Sequence, residues 1–286
     1  MMYVLLLVSI LMCVGKNALY NVFAKHEKPS IGAIFLFNGF AYAVAALITL
    51  VCGIGNKLSA ETLVIALAYA ICVFSLQLFS ILAMCNGQMS LTTLIVTYGM
   101  LIPALAGPVF WHEEFGIMQA IGVFVMLVSL WLLRDNGADK AKLSGTWILF
   151  AVICFLLSGL AGLLEKLHQS ADACEERRMF IFIACAAMFT LSMCGMLIKG
   201  VRPLHSLRCT ALTGIATGAI VSLYFLVNLT LAGKMDSLIY YPIANGGAVP
   251  LTVLISIVCF KEKPSAQRLF GFCLGLVSII LLSGAA

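Results

Sequence analysis

Lys16 is a cation set inside an apolar stretch, nine residues before the next basic residue, Lys25. On a helix that interval is about 13 Å of rise, too deep to belong to a loop. One account of it is snorkelling, in which the long stem carries the charge to an interface. The other is an inward-facing ammonium that recognises a carboxylate or phosphate. Ionisable groups within membrane helices turn toward the bundle interior or a water-filled cavity. Tyr20 lies four residues on and shares the face, while Asn17 and Asn21 form a second polar stripe beside it. So many polar groups would be costly against hydrocarbon, so this side of the helix is expected to face inward.

Other polar positions recur within apolar runs: Gln77, Thr93, Thr97, Tyr98, Tyr224, Asn228, Tyr240, Tyr241 and Asn245. Tyr224 and Asn228 stand one turn apart, as do Tyr241 and Asn245, so each pair faces one way. The candidate binding set is Lys16, Asn17, Tyr20, Gln77, Tyr98, Tyr224, Asn228, Tyr241 and Asn245. For any one Tyr or Asn the alternative is an interhelical hydrogen bond with no ligand, and for a Tyr near a helix end an interfacial anchor. Pro103 and Pro250 each remove a backbone hydrogen bond from within a helix, and Tyr98 and Asn245 stand five residues before them. Gly99 loosens the first site, and Gly246 and Gly247 the second. These two prolines and three glycines are the candidate points of bending, with a static kink as the alternative.

No Asp or Glu falls in mid-run: Glu113, Glu114, Glu165 and Glu262 sit at run ends, which leaves Lys16 as the one charge expected to be buried. His26, His112, His168 and His205 are far apart at run ends, and they form no catalytic grouping with Ser. The eleven Cys show no CxxC pair and no Cys/His cluster, so most act as small hydrophobes. These absences argue against an enzyme, a metal and a cofactor.

The elements that must position these groups follow from hydropathy. The chain is 63% hydrophobic and 10% charged, with a mean hydropathy of +1.10. Ordinary soluble domains are about a quarter charged. Apolar runs between short polar breaks predict ten spans: 2–24, 31–53, 61–85, 89–111, 115–133, 145–167, 178–199, 207–231, 235–260 and 266–283. Lys16 follows the first apolar run instead of preceding it, so residue 1 onward is read as a retained helix and not a cleaved signal.

The chain also repeats itself. Residues 112–133 return as 261–282, with seven of 22 pairs identical: Glu113/Glu262, Gly122/Gly271, Leu127/Leu276, Val128/Val277, Ser129/Ser278, Leu132/Leu281 and Leu133/Leu282. Pro103/Pro250 and Gly87/Gly233 continue the match upstream. The expected fold is all-α and integral to the membrane, with ten helices as two inverted five-helix repeats, 1–134 and 144–286, joined by the polar stretch 135–143. An odd number of spans per half sets the second copy upside down. The patterns Gly214-x-x-x-Gly218 and Gly271-x-x-x-Gly275 are expected to pack within the chain.

These features resemble the drug/metabolite transporter superfamily, in its ten-helix branch with paired EamA-type domains. The resemblance rests on Cys85-Asn86-Gly87-Gln88 and its mate Ala232-Gly233-Lys234, each followed by a helix with a late Pro. Trp111-His112-Glu113 and Phe260-Lys261-Glu262 come next, then a closing helix with Gly. Many relatives carry Trp-Gly in the first helix, where this chain has Gly15-Lys16-Asn17. The resemblance implies a central cavity lined by helices of both halves and both termini in the cytoplasm. Loop charge points the other way. The odd-numbered connections hold eleven Lys/Arg and the even ones five, which would place the odd loops inside.

The expectation is a monomeric carrier in a cell membrane, of the bacterial cytoplasmic kind. Its partners are the lipid bilayer and a small polar or amphipathic solute of amino-acid-like or other carboxylate-bearing type, moved by alternating access. No basic stripe suggests nucleic acid. The alternatives are a broad exporter of hydrophobic drugs and, in another class, a non-transporting scaffold or lipid-handling protein.

Overall fold

The protein is described by a computed structural model covering residues 2–26, 31–53, 58–86, 89–114, 116–133, 144–199, 207–249, 251 and 265–283. These residues form α1 (Met2–His26), α2 (Ile31–Gly53), α3 (Ala60–Asn86), α4 (Met89–Tyr98), α5 (Leu101–Phe110), α6 (Ile117–Leu133) and α7 (Gly145–Ser170). A 3₁₀ turn (Asp172–Glu176) leads into α8 (Arg177–Lys199), followed by α9 (Leu207–Ala232), α10 (Ser237–Tyr241), a π-helical turn (Pro242–Gly246) and α11 (Ala266–Ser283). The described residues are predominantly helical, with no strand among them. Among them five stretches are long and apolar enough to cross a membrane: Ile31–Cys52, Ala60–Ser80, Gly145–Ser170, Cys174–Ile198 and Leu207–Ala232.

Two compact packing units take residues from both sequence halves. One holds Tyr3–Phe74 with Leu167–Gly233, the other Ser75–Lys166 with Lys234–Ala286. In the first unit α2 packs against both α8 and α9. Gly214 and Gly218 let α9 approach the backbone of α2 at Phe37 and Ala41, so this small-residue pair packs within the chain. Gly195 on α8 takes the ring of Phe35 in the same way. The start of α3 is fixed by Ser59, whose Oγ accepts the Thr62 N–H at 3.2 Å, an N-cap bond at the third helical position.

In the second unit α6 and α11 run antiparallel along each other. A Cβ on Gly122 would come within 2.8 Å of Leu282, and one on Gly271 within 3.1 Å of Leu133. Ser129 Oγ adds a hydrogen bond to the Gly271 carbonyl at 2.7 Å. Predicted span 4 is divided into α4 and α5. Pro103 has no N–H to offer the Gly99 carbonyl, and the Ile102 N–H takes that acceptor at 3.0 Å instead. Gly99 and Met100 likewise bond back three residues, to Val96 and Thr97. The helix therefore tightens through a 3₁₀-like turn before α5 resumes. Span 9 opens as α10 and widens at once into the π turn, and most of its remainder, with Pro250, lies outside the described residues. Gly247 closes the turn with a bond to the Ile243 carbonyl at 3.0 Å.

Candidate functional site

Lys16 and Tyr224 meet in the first unit. The Lys16 Nζ stands 4.6 Å from the centroid of the Tyr224 ring, a cation–π contact. Such a contact supplies about 0.5–2 kcal/mol depending on desolvation. Among the described residues no carboxylate lies within ion-pair distance of this ammonium. One turn further along α9, Asn228 is buried and its Oδ1 accepts from Ser9 Oγ. Ser9 precedes Lys16 by two turns of α1, and Gly15 lies against Ile220. The order of these contacts makes α1 antiparallel to α9. The predicted pair Tyr224/Asn228 therefore does face one way, toward α1. Asn17 and Tyr20 are within α1, and their side chains lie outside what the structure describes.

The candidates in the second unit are placed differently. Tyr98 Oη donates to the Leu127 carbonyl on α6 at 2.8 Å. Tyr241 is buried and donates to the Gly162 carbonyl on α7 at 2.6 Å. Both hydroxyls thus tie helix to helix, the arrangement the sequence leaves open as the alternative to ligand binding. Asn245 is exposed within the π turn, and its Nδ2 donates to the Tyr241 carbonyl at 3.2 Å. Gln77 is half-buried on α3. The turn at Gly99 lies on α7, where a Cβ would meet Ser158 and the Phe155 carbonyl. Gly162 accommodates Pro103 and Tyr241, and Gly246 lies against Met126 of α6.

A second polar centre sits at the ends of apolar runs. Glu113 and Lys166 form an ion pair at 2.6 Å, with the Lys166 side chain 11% and the Glu113 side chain 8% exposed. The expectation that Lys16 is the one buried charge is thereby corrected. A carboxylate at a helix end in sequence folds back into the protein in space. Phe110 ends α5, and the Gly107 carbonyl accepts from both Trp111 N–H (2.9 Å) and Glu113 N–H (3.4 Å). His112 between them takes a left-handed φ of 54°. This is a helix stop with a left-handed residue just past the C-cap, using His where Gly is usual. It turns Glu113 back over Gly107, where a Cβ would overlap the carboxylate.

Both oxygens of that carboxylate are engaged. Oε2 accepts the Ser237 N–H at 2.6 Å and Oε1 accepts from Ser237 Oγ at 3.1 Å. Lys166 Nζ also donates to the Met235 carbonyl at 3.3 Å. Glu113 therefore caps α10 from just beyond the end of α5, satisfying an amide that α10 itself leaves unpaired. The Glu113/Glu262 match was the available signal, but Lys166 is 53 residues away and Ser237 124 residues away.

The first unit has a comparable cap. Glu176 Oε2 accepts from the Ser59 N–H and Ser59 Oγ, each at 2.8 Å. Beside it the fully buried His168 sets Nε2 3.2 Å from Thr62 Oγ1 and Nδ1 2.9 Å from Gln169 Nε2. The Gln169 amide donates, so Nδ1 accepts and Nε2 carries the proton toward Thr62. Among the described residues no group of three or more His, Cys, Asp or Glu is arranged to hold a metal ion.

Fold and site together define an all-helical chain of the multi-pass membrane kind, with polar groups held between helices. No protein-family model matches it, and no curated protein matches it. A solved structure described only as the crystal structure of a protein is similar to it, with a TM-score of 0.81 and 15% identity. The match covers 99% of this chain and 96% of that one. At this identity the likeness is one of fold.

Proposed function

We propose that the protein is a secondary carrier of the ten-helix, EamA-type branch of the drug/metabolite transporters, resident in a cell membrane. It moves a small carboxylate-bearing solute by alternating access between two inverted repeats. The observation that carries this reading is Lys16, an ammonium within an apolar helix that rests on the Tyr224 ring and has no described carboxylate partner. A cation–π contact is weaker than an ion pair of good geometry, so a solute carboxylate can take the ammonium over. The Ser9–Asn228 pair, two turns away along α1, supplies further polar groups on the same face.

The inverted repeat draws support from α6 and α11. The register that pairs Gly122 with Gly271 and Leu133 with Leu282 turns the Gly122–Leu282 contact into the Gly271–Leu133 contact. An exchange of contacts between antiparallel copies is what an inverted repeat requires of this pair.

The test is thermal stabilisation of the purified protein in detergent by amino acids, organic acids, phosphorylated metabolites and hydrophobic cations, with Lys16→Ala in parallel. Stabilisation by a carboxylate that disappears in the variant is the expected result. Stabilisation only by hydrophobic cations, indifferent to Lys16, would replace this reading with a drug exporter.

A further inference from the structure

We propose that the Glu113–Lys166 pair is a latch that pins the start of α10 to α5 and α7, and that its opening frees α10 and the π turn to move. That such a motion serves a transport cycle rests on the carrier reading above; the latch itself does not.

The geometry is specific to α10. This helix runs five residues before it passes into the π turn, and Asp236 at its N-cap makes no side-chain cap bond. Its described cap is the Glu113 carboxylate, on Ser237 N and Ser237 Oγ. Lys166 holds the carboxylate with its charge and the approach to α10 through the Met235 carbonyl. One cluster thus fixes both the start of the helix and the strand of chain leading into it.

Beyond α10 the chain passes into the π turn, where the regular helical ladder is interrupted. Alongside, α5 packs against α10 and begins at its own interruption, Gly99–Met100. These two interrupted helices therefore meet at one end on a single carboxylate, which α10 contacts by hydrogen bonds and Lys166 of α7 neutralises. Such an ion pair has two well-separated conditions. It is stable when closed with its hydrogen bonds complete, and it is costly to hold half-open, because either ion left alone is buried and uncompensated. That is the behaviour of a two-position fastening and not of a graded contact.

Room for the carboxylate is made by Gly107, since any side chain there would push Glu113 off its partners. This gives a second way of opening the latch that leaves both charges in the chain.

The experiment is hydrogen–deuterium exchange by mass spectrometry on the full-length protein in detergent, with no solute added, comparing wild type with Glu113→Gln, Lys166→Met and Gly107→Ala. Exchange across residues 235–247 is expected to rise about tenfold or more in each variant, as parting a buried pair does, whether one charge is removed or Glu113 is displaced. Peptides from α2 and α9, in the other packing unit, should stay at wild-type rates. Unchanged exchange at 235–247 in the variants that fold would overturn the latch. An equal rise in α2 and α9 would also overturn it, as general loss of stability. The solute-binding test of the carrier reading stands or falls separately, because no solute enters here.

Discussion

Lys16 and Tyr224 are best judged as a pair. Tyr224→Phe keeps the π face and removes only the hydroxyl, whereas Tyr224→Leu removes the face itself. If the ring holds the ammonium, the Leu variant should melt lower than the Phe variant by the equivalent of about 0.5–2 kcal/mol. In a Lys16→Ala background the Leu–Phe difference should shrink by that amount, since the interaction term vanishes when either partner is gone. Melting of the four proteins in detergent decides it: a Leu–Phe difference unchanged without Lys16 would be packing alone, such as the Tyr224–Phe225 ring contact. The same scale shows where the sequence stops. Spacing correctly sets Tyr224 and Asn228 on one face, but spacing cannot say whether a Tyr hydroxyl meets a ligand or a carbonyl. Tyr98 and Tyr241 both meet carbonyls, of Leu127 and Gly162, and those partners come from helices whose approach only the folded chain defines.

At the level of elements, the all-helical character was legible because hydropathy is a local property, and five of the apolar runs stand as long apolar helices among the described residues. The division of span 4 was legible as well, since Gly99 and Pro103 carry its cause in their own chemistry. The π turn was not, although Pro242 opens it. Within it Gly246 lies against Met126 of α6, a neighbour far away in sequence. The cap on α10 was hidden for the same reason, being made by a carboxylate 124 positions away. A test belongs to the first interruption. Pro103→Ala restores an N–H that can bond to the Gly99 carbonyl, so amide exchange across residues 98–104 should slow if the proline alone breaks the helix. Unchanged exchange would assign the break to the packing of Gly99 on Ser158 and the Phe155 carbonyl.

The whole molecule poses the question of whether the sequence repeat is also a physical one. The packing units each combine both halves, so a repeat in sequence need not be a unit of folding. The α6–α11 pair nevertheless offers a direct measure. Gly122 receives Leu282, and Gly271 receives Leu133 with Leu132 beside it. If a two-fold relates these contacts, enlarging either glycine meets the same obstacle in the same geometry. Gly122→Val and Gly271→Val should then lower stability by similar amounts, each about 1–3 kcal/mol as overpacking of a close helix contact does. Gly145 is the control: it is exposed and a Cβ there meets nothing within 4 Å, so Gly145→Val should fall well short of both. Matched losses at 122 and 271 would mean that the two copies still support each other as they do in sequence. A loss several times larger at one site would mean that the halves have diverged in packing while keeping their residues. The inverted-repeat reading would then rest on sequence alone.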